Sequence, residues 1–335
     1  MNTSTTEKLN EYSISVVIPN YNGRHLLEAN LPAVYAALKF TGVNYEVIVI
    51  DDASSDTSVA FIQQQYPEIK LLINDINKGF SPTINKGIFS AQHKLVLALN
   101  SDVWLTEDYF VKQFKYFEAS DTFGVMGKIT DFDSPKIQDG AKFPKISYKG
   151  IKTTFNYIPD QVNQNIWLPG FFLSGANALM DRTKLIQLGG YNELYAPFYY
   201  EDADLGIRAW RVGWKCYFEP ESICKHAISS TIGKLKSEKV KIIIERNRIA
   251  FNHLHLMGPD LFLFKCWLQL RCFSRLLSGN SIIYKAIKLF RKNREALEQS
   301  KQALKTLQEK NKNFSVYQTE KYILEQIKSI PYRIF

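Results

Sequence analysis

Two adjacent carboxylates, Asp51 and Asp52, directly follow the almost continuously apolar run Val47–Ile50. A run of this kind is typical of a buried strand in a parallel sheet. Ligands of open α/β sheets bind beyond the carboxyl ends of the strands, where these carboxylates could accept hydrogen bonds from a ribose or a base N–H. The alternative is that the segment caps the next helix through Ser55 and Asp56, and both interpretations can hold at once.

A second polar set, Asn100-Ser101-Asp102, follows the apolar run Leu95–Leu99. Asn100 and Asp102 are two positions apart, so in extended backbone their side chains point the same way. A carboxylate and an amide oxygen on one side suit a hard divalent cation that keeps water and phosphate oxygens as its other ligands. An isolated aspartate at a strand end is common, so the alternative is a structural residue.

A third set places Glu201, Asp202 and Asp204 at the start of a helical pattern that runs to about Arg211. Interaction with the positive end of the helix dipole would need only one or two of these carboxylates. His226, further along, is either structural or a ligand. Aromatic residues that could stack on a sugar or lie in the core precede the acidic set: Phe198, Tyr199 and Tyr200.

The turn Pro19-Asn20-Tyr21-Asn22-Gly23 follows the first apolar run, Ile14–Ile18. Pro19 fixes the turn, and Tyr21 offers a ring on which a base could stack. A dinucleotide-binding protein would show GxGxxG here, whereas this turn has a single glycine, which argues against NAD, FAD and a dehydrogenase. A plain strand–loop–helix turn is the alternative.

Apolar runs alternate with helical patterns over the first 120 residues, which predicts a doubly wound, mostly parallel α/β sheet. A further apolar run is Lys70–Ile73, and the candidate helices lie near 24–40, 56–65, 81–91 and 106–118. Ser55 and Thr106 are the expected N-caps of the second and fourth helices. Residues 125–170 have no clear pattern, and we interpret them as an insertion or a small antiparallel extension.

The charge of the chain is unevenly placed. Residues 234–335 contain 21 Lys and Arg against 8 Asp and Glu, a local net charge of +13, whereas the whole chain carries +9. A basic tail behind an acidic front suggests an anionic partner, either phospholipid head groups or nucleic acid. Apolar, aromatic and basic residues interleave within the tail. It could therefore lie in a membrane interface, or cap the catalytic part with a solvated basic face.

Other features point to a cytoplasmic protein. The polar N-terminus MNTSTTEKLNEYS has no basic region followed by an apolar one, so no secretory signal is expected. No run of 18 apolar residues occurs. The four cysteines show neither CxxC nor zinc-ligand spacing, so they are interpreted as reduced thiols: Cys216, Cys224, Cys266 and Cys272.

Taken together, an ordered series of motifs over roughly residues 13–230 resembles the family 2 glycosyltransferases, which have the GT-A fold; rhamnosyltransferase-like members are the most similar. The motifs are SVVIPNYNG (15–23), EVIVIDDASSDTS (46–58), NKGFSPTINKGI (77–88), LNSDV (99–103), SGANALMDRTKLIQLGGYNE (174–193), FYYEDADLGIRAWRVGW (198–214) and EPESICKH (219–226). The resemblance implies an inverting transferase that moves a sugar from a UDP- or dTDP-sugar to a glycan or lipid-linked hydroxyl, in bacterial cell-envelope polysaccharide synthesis.

On the donor side, the resemblance implies that Pro19, Tyr21 and Asp52 hold the nucleoside, with Asp51 beside it. The residues that match the family's second donor-side signature are Asn77, Gly79 and Asn85.

The resemblance also assigns the cation and the base. Asn100, Ser101 and Asp102 stand at the family's DXD motif, and Asp102 matches the acid that binds Mg²⁺ or Mn²⁺ on the donor diphosphate; Asn100 replaces a frequent aspartate. His226 matches a histidine that completes the coordination. The residue that matches the general base is Asp202, with Glu201 and Asp204 as acceptor-side support.

The expected organisation is a GT-A domain over residues 1–233, with a donor half near 13–124 and an acceptor half near 165–230, then the basic helical extension 234–335. The expected place of action is the cytoplasm, or the inner face of the cytoplasmic membrane. Two alternatives remain: a catalytically silent nucleotide-sugar-binding or scaffold module, which Asn100 would suit, and a nucleic-acid-binding protein. The tail lacks an RNP-like strand and zinc spacing, so nucleic acid is not the expected partner.

Overall fold

The computed structural model describes residues 11–226 and 237–335. The expected domain boundary at 233/234 and residues 1–10, in which no secretory signal is expected, lie outside the described residues.

From one edge to the other, the central sheet (order β12-β14-β6-β13-β4-β1-β2-β3) contains the strands 168–169, 215–226, 122–131, 177–181, 95–99, 13–20, 44–51 and 70–73. Its N-terminal strands are mutually parallel, and their side chains alternate between two apolar cores: Val17 faces one core, whereas Val16 and Ile18 face the other. Burial on both faces explains why these strands are almost continuously apolar. They are β1 Ser13–Asn20, β2 Asn44–Asp51, β3 Lys70–Ile73 and β4 Leu95–Leu99.

The second half of the sheet is mixed. Strand β13 pairs antiparallel with both β4 and β6, while β14 runs parallel to β6. Strands β5 and β12 pair antiparallel with β14, and β7 pairs with β6. The bounds are β5 Val103–Leu105, β6 Thr122–Asp131, β7 Ile137–Asp139, β12 Leu168–Pro169, β13 Asn177–Asp181 and β14 Lys215–His226.

Strand β6 was not expected from the sequence, because most of it falls in the stretch interpreted as an insertion. Two glycines weaken its pattern, yet both are required by close backbone contacts. A Cβ at Gly124 would lie 2.6 Å from the Leu179 carbonyl oxygen, and one at Gly127 would lie 2.5 Å from that of Ser222. The remainder of the stretch does form short antiparallel strands: β8 Ala141–Lys142, β9 Lys145–Ser147, β10 Gly150–Lys152 and β11 Asn156–Pro159.

Helices of the catalytic part flank this sheet: α1 Arg24–Thr41, α2 Ser58–Gln65, α3 Phe80–Ser90, α4 Arg182–Gln187 and α5 Glu201–Arg211. The expected helix at 106–118 is wrong, since only a 3₁₀ turn over Phe114–Glu118 forms there. The Thr106 hydroxyl donates instead to the carbonyl of Ile223 in β14 (2.8 Å). Ser55 does not cap α2 either, because that helix begins later and the Ser55 amide donates to Asn22 Oδ1 (2.7 Å).

The C-terminal helices pack on the catalytic part and share one of its two cores through residues such as Phe264, Ile283 and Ile323. They are α6 Glu238–His255, α7 Gly258–Leu277, α8 Ile282–Lys292, α9 Arg294–Lys310 and α10 Val316–Ile327. The last strand, β15 Tyr332–Ile334, pairs antiparallel with β11, so the chain returns to the catalytic part. Among the described residues, no helix has the length and apolar character that a membrane span needs.

Candidate functional site

Two adjoining cavities lie beyond the carboxyl ends of the parallel strands. The first, the donor-side cavity, has a volume of about 450 Å³ and is lined by Pro19, Asn20, Tyr21, Asp52, Asn77, Gly79, Phe80, Thr83, Asn100, Ser101, Asp102, Pro197 and Phe198. The second, the acceptor-side cavity, has a volume of about 400 Å³ and is lined by Phe80, Asn100, Ser174, Gly175, Ala176, Phe198, Tyr199, Glu201, Asp202 and Val240. Three residues are shared, so Asp52, Asp102 and Asp202 stand around one continuous depression.

A larger cavity lies elsewhere, between the loop after α4 and helix α9. Its volume is about 830 Å³, but it contains none of the three aspartates above. The chemistry of its lining therefore does not favour it over the two smaller cavities.

In the donor-side cavity, Asp52 is almost fully buried and organises the loop opposite. One carboxylate oxygen accepts from Asn74 Nδ2 (2.8 Å) and from the Lys78 amide (3.0 Å), and the other accepts from the Gly79 amide (2.9 Å). Tyr21, in contrast, is 55% exposed, so its ring is free to stack on a planar ligand.

Glycine at position 79 is required by the backbone. Its φ is +84°, a conformation that side chains with a Cβ rarely adopt, and a Cβ there would lie 2.7 Å from Pro197 Cα. The next residue, Phe80, donates its amide to the Pro197 carbonyl (2.9 Å). The loop that Asp52 organises is thus packed against the loop that precedes helix α5.

Residues 101 and 102 lie in a turn rather than in the expected extended backbone, with the Val103 amide donating to the Asn100 carbonyl (3.2 Å). The turn still brings Asn100, Ser101 and Asp102 to the donor-side cavity. The side chain of Asp102 meets His226, whose Nε2 lies 3.1 Å from Asp102 Oδ2. That hydrogen bond raises the pKa of His226 above its ordinary value.

Gln138, a residue that the sequence did not single out, fixes the orientation of the His226 ring. Its amide Nε2 donates to the His226 backbone carbonyl (2.9 Å), which leaves Oε1 facing Nδ1 of the ring (2.9 Å). Nδ1 therefore carries a proton, and the hydrogen bond to Asp102 takes a second proton on Nε2, which matches the raised pKa of His226. Loss of the Nε2 proton would leave a lone pair beside the Asp102 carboxylate, where a cation could take the place of the proton. No feature of the sequence around position 138 signals this role.

The Asp102–His226 pair fits a divalent cation by the chemistry of its donors. A carboxylate oxygen and an imidazole nitrogen are ordinary ligands of Mn²⁺ and related ions, and a partner that orients the histidine is the usual companion of such a ligand. Within residues 11–226 and 237–335, no group of three or more His, Cys, Asp or Glu side chains could surround a metal. The remaining ligands of a cation held here would come from neutral oxygens such as those of Asn100 and Ser101, which line the same cavity, or from phosphate or water.

On the acceptor side, Glu201 and Asp202 begin helix α5. The Asp202 Oδ1 atom accepts from the Ala203 amide (2.7 Å), and its carboxylate lines the cavity. Burial, followed by the charge of Asp202, raises the pKa of Glu201 to about 8. Burial also raises the pKa of Asp202, while the Lys142 charge and backbone amides oppose the rise. Because the two acids are adjacent, they titrate as a pair.

The backbone before this pair is strained and held from the C-terminal helices. Tyr199 and Tyr200 both have positive φ values, 72° and 79°. The buried Asn247 of α6 donates through Nδ2 to the carbonyls of Tyr195 (2.7 Å), Phe198 (2.8 Å) and Tyr199 (2.9 Å). Sequence reasoning missed Asn247, because it considered only the basic, apolar and aromatic residues of the tail.

Four residues expected in the site do not line either cavity: His226, which is joined to the donor-side cavity through Asp102, and the buried residues Asp51, Asn85 and Asp204. Asp51 is buried and stabilises a turn, accepting from Asn20 Nδ2 (3.0 Å) and the Ser54 amide (2.8 Å). Asn85 instead pairs with both backbone groups of Tyr191 (2.7 and 2.8 Å). These contacts are structural and hold both side chains away from the cavity linings, so the expected donor contacts of these two residues stay predictions.

Asp204 also lies in the interior rather than in the lining of the acceptor-side cavity. It is fully buried, with Arg208 Nε at 2.6 Å, Tyr195 OH at 3.1 Å and His255 Nε2 at 3.0 Å. Burial alone would raise the pKa of Asp204, but the Arg208 charge and the His255 hydrogen bond lower it below its ordinary value. Its place in this network is that of a structural anion.

Comparison with known proteins identifies relatives of the chain. Residues 15–189 match the model of glycosyl transferase family 2. The UDP-Glc:α-D-GlcNAc-diphosphoundecaprenol β-1,3-glucosyltransferase WfgD of Escherichia coli is 33% identical over 99 residues, which is 29% of this chain and 38% of the relative. The poly-β-1,6-N-acetyl-D-glucosamine synthase of Staphylococcus epidermidis is 25% identical over 68% of this chain and 53% of the relative. The matches thus span about half or less of these relatives.

Solved structures show the same fold. GalNAc-T7, crystallised with UDP, GalNAc and Mn²⁺, superposes with a TM-score of 0.63 at 15% identity, covering 95% of this chain and 56% of the other. Residues 1–349 of Staphylococcus aureus TarS, in complex with UDP-GlcNAc, superpose with a TM-score of 0.50 at 15% identity, covering 86% and 79% of the two chains. This likeness confirms the expected GT-A architecture.

Proposed function

We propose that this chain, which belongs to glycosyl transferase family 2, moves a sugar from a UDP- or dTDP-sugar to a hydroxyl of a glycan or lipid-linked acceptor, with inversion at the anomeric carbon. The observation that carries the proposal is the meeting of Asp52, Asp102 and Asp202 around two adjoining cavities. One cavity has the groups to hold a nucleoside diphosphate, and the other presents a carboxylate to a second substrate.

The donor-side cavity would hold the nucleoside. The exposed ring of Tyr21 would stack on the base, next to Pro19. Asp52 would position Asn77 and Gly79 through the loop that its carboxylate binds, and Asn100 and Ser101 would contact the diphosphate or the sugar.

The groups that would hold a cation, Mg²⁺ or Mn²⁺, are Asp102 and His226, the latter oriented by Gln138. When bound, the cation would neutralise charge that develops on the leaving diphosphate. Asn100 supplies a neutral oxygen where many relatives carry a carboxylate, so the protein places less negative charge beside the cation.

The acceptor-side cavity would hold the nucleophile. Asp202 accepts the proton of the acceptor hydroxyl while the oxygen attacks the anomeric carbon and the bond to the diphosphate oxygen breaks. A proton retained on Glu201 leaves Asp202 as the ionised member of the pair. A single displacement without a covalent sugar–enzyme stage inverts the configuration.

The relatives suggest the acceptor class. The name of WfgD includes a diphosphoundecaprenol acceptor, and that of the staphylococcal synthase a polysaccharide product. By analogy, we place this reaction in cell-envelope polysaccharide synthesis on the cytoplasmic side of the membrane.

The proposed division of the chain gives residues 13–124 as the donor half, 165–230 as the acceptor half and 234–335 as the extension. Among donors, a dTDP-deoxysugar is the first to test.

The test is a donor screen that measures nucleoside diphosphate release with UDP- and dTDP-sugars, each with Mn²⁺, Mg²⁺ or EDTA. Isothermal titration on the same panel reports binding without turnover, and NMR of the product reports the anomeric configuration. Donor binding with cation-dependent release and an inverted product is the expected result. Binding without release in the presence of glycan and lipid-linked acceptors would indicate a silent module, and no binding at all would overturn the proposal.

A further inference from the structure

Helix α7 exposes an apolar face to the surroundings. Six large apolar side chains of this helix are 47–75% exposed: Phe262, Leu263, Leu270, Phe273, Leu276 and Leu277. At 100° per residue, all six fall within an arc of about 140° on one side of the helix. We call this set the α7 apolar face. Scattered apolar side chains on a surface are ordinary, but a contiguous face of this size marks an interaction site.

The opposite side of α7 accounts for its packing within the protein. Phe264 and Leu268 are buried in the core that the C-terminal helices share with the catalytic part. On the packed side, Arg271 also binds Glu245 of α6 through two hydrogen bonds (2.7 and 2.8 Å). The helix is therefore fixed on the protein by one face, whereas the described part of the chain leaves the α7 apolar face exposed.

The charges beside this face indicate the partner. Residues 258–292, which form α7 and α8, contain seven Lys and Arg but only one acidic residue, Asp260. The exposed basic residues of the two helices are Lys265, Arg275, Lys285, Lys288, Arg291 and Lys292. On α7 itself, Lys265 flanks the apolar face, whereas Arg275 falls on the packed side with Phe264 and Leu268. A second copy of this chain would bring the same positive charge to the interface, which opposes self-association. An anionic phospholipid surface satisfies both the apolar face and the surrounding charges.

We infer that α7 docks in the interface of an anionic phospholipid membrane, with the α7 apolar face among the acyl chains, and with Lys265 and the basic residues of α8 among the phosphates. The sequence left two alternatives for the tail, a membrane interface or a cap with a solvated basic face. Docking through the α7 apolar face favours the first, since the outer side of the tail is then not only basic. Docking deepens the proposed function. It rests on that proposal, because a lipid-linked acceptor is part of it. Helix α6, which packs against α7 and α8, also contributes Val240 to the acceptor-side cavity, so docking would bring that cavity near the lipid surface.

The experiment is flotation of the full chain with vesicles of phosphatidylcholine alone or mixed with phosphatidylglycerol. The wild type should float with the anionic vesicles, float less at high salt, and bind neutral vesicles at least tenfold more weakly. The triple variant Phe262→Ser/Phe273→Ser/Leu277→Ser should bind anionic vesicles at least tenfold more weakly than the wild type. Phe40→Ser is the matched control, since Phe40 is 51% exposed on α1 and should have no effect. A second variant, Lys288→Glu/Lys292→Glu, should weaken anionic binding while the apolar face stays intact.

Equal vesicle binding by the triple variant and the wild type would overturn the inference, as would a failure of the wild type to bind. Light scattering that finds a dimer, which the triple variant separates, would assign the face to a subunit interface and overturn it as well. Titration with UDP- and dTDP-sugars on the same proteins keeps the two proposals apart. Loss of vesicle binding with intact donor binding concerns only the face, whereas vesicle binding without donor binding would contradict the proposed function alone.

Discussion

The imidazole Nε2 of His226 lies 3.1 Å from Oδ2 of Asp102, although 124 positions separate the two residues along the chain. The pairing of strands brings them together: β5, which follows Asp102, runs antiparallel to the end of β14, with His226 opposite Val103. A cation site at this place thus depends on the register of two strands that are distant in sequence.

Gln138→Leu should weaken cation binding by removing both hydrogen bonds that orient the His226 ring. Loss of a residue that orients a metal ligand typically costs about 10–100-fold in metal affinity. Titration of Mn²⁺ in the presence of UDP, followed by electron paramagnetic resonance of the free ion, measures this change. Gln164→Ala removes an exposed glutamine whose partner is Glu221 (3.4 Å) and serves as the control. Unchanged Mn²⁺ affinity in Gln138→Leu would contradict the assignment.

Asp202→Asn should abolish sugar transfer while nucleotide binding survives. The amide cannot accept the acceptor proton, and a positioned base contributes about 10²–10⁴-fold to the rate. Nucleoside diphosphate release in the presence of acceptor gives kcat, and titration with the donor gives Kd. A variant with near-normal kcat would show that another group is the base.

Asp204→Ala should lower stability and leave the chemistry of the folded protein intact. The variant leaves Arg208 buried without its carboxylate, and loss of one partner of a buried ion pair costs about 3–5 kcal/mol. Denaturant unfolding followed by fluorescence gives the free energy of unfolding. Should the variant be stable but fail only in acceptor-dependent release, the acceptor-side role expected from the sequence would be restored.

Glu201→Gln should stabilise the protein more at pH 8 than at pH 5. Glu201 has an ordinary pKa of 4.5 when unfolded, and burial raises its pKa to about 8 in the folded protein. The folded state therefore binds more protons between these values, and the free energy of unfolding falls as pH rises through that window. Glutamine has no such proton to lose, so the variant avoids the fall, which amounts to about 1.4 kcal/mol per pKa unit.

Tm measured from pH 5 to 8 tests this expectation, with the exposed Glu28→Gln as the control. A Tm difference between Glu201→Gln and the wild type that stays constant over this range would show that Glu201 does not retain its proton in the folded state.

Asn247→Ala should reduce kcat more than it reduces donor affinity. The variant leaves three carbonyls of the loop before α5 without their donor, at about 0.5–1.5 kcal/mol for each hydrogen bond. Phe198 and Tyr199 line the acceptor-side cavity, so a looser loop would misplace the second substrate. Asn311→Ala, which removes one hydrogen bond to Leu307 at the end of α9, is the control. Equal kcat in the two variants would reduce Asn247 to a purely structural residue.

The elements with a periodic pattern were predictable from the sequence. The expected helices at 24–40 and 81–91 are confirmed as Arg24–Thr41 and Phe80–Ser90, and the four N-terminal strands lie at or around their apolar runs. Strand Thr122–Asp131 was not predicted, because Gly124 and Gly127, which allow close backbone packing, weaken its apolar pattern. The helix expected at 106–118 does not form, because the Thr106 hydroxyl donates a hydrogen bond to Ile223, in a strand more than a hundred positions away.

The sequence by itself determined the fold class, the family and the order of the motifs, because these depend only on local periodicity and on short sequence motifs. Only the tertiary structure decided which side chains reach the cavities. Asp51 and Asp52 are neighbours in the chain, yet Asp51 stabilises a turn and Asp52 lines the donor-side cavity. Similarly, Asp202 lines the acceptor-side cavity, whereas Asp204 is bound to Arg208 and His255 in the interior. Side-chain direction and strand register separate such neighbours, and both are set by packing between distant segments. The same packing brings Gln138 to His226 and leaves one side of α7 exposed among the described residues.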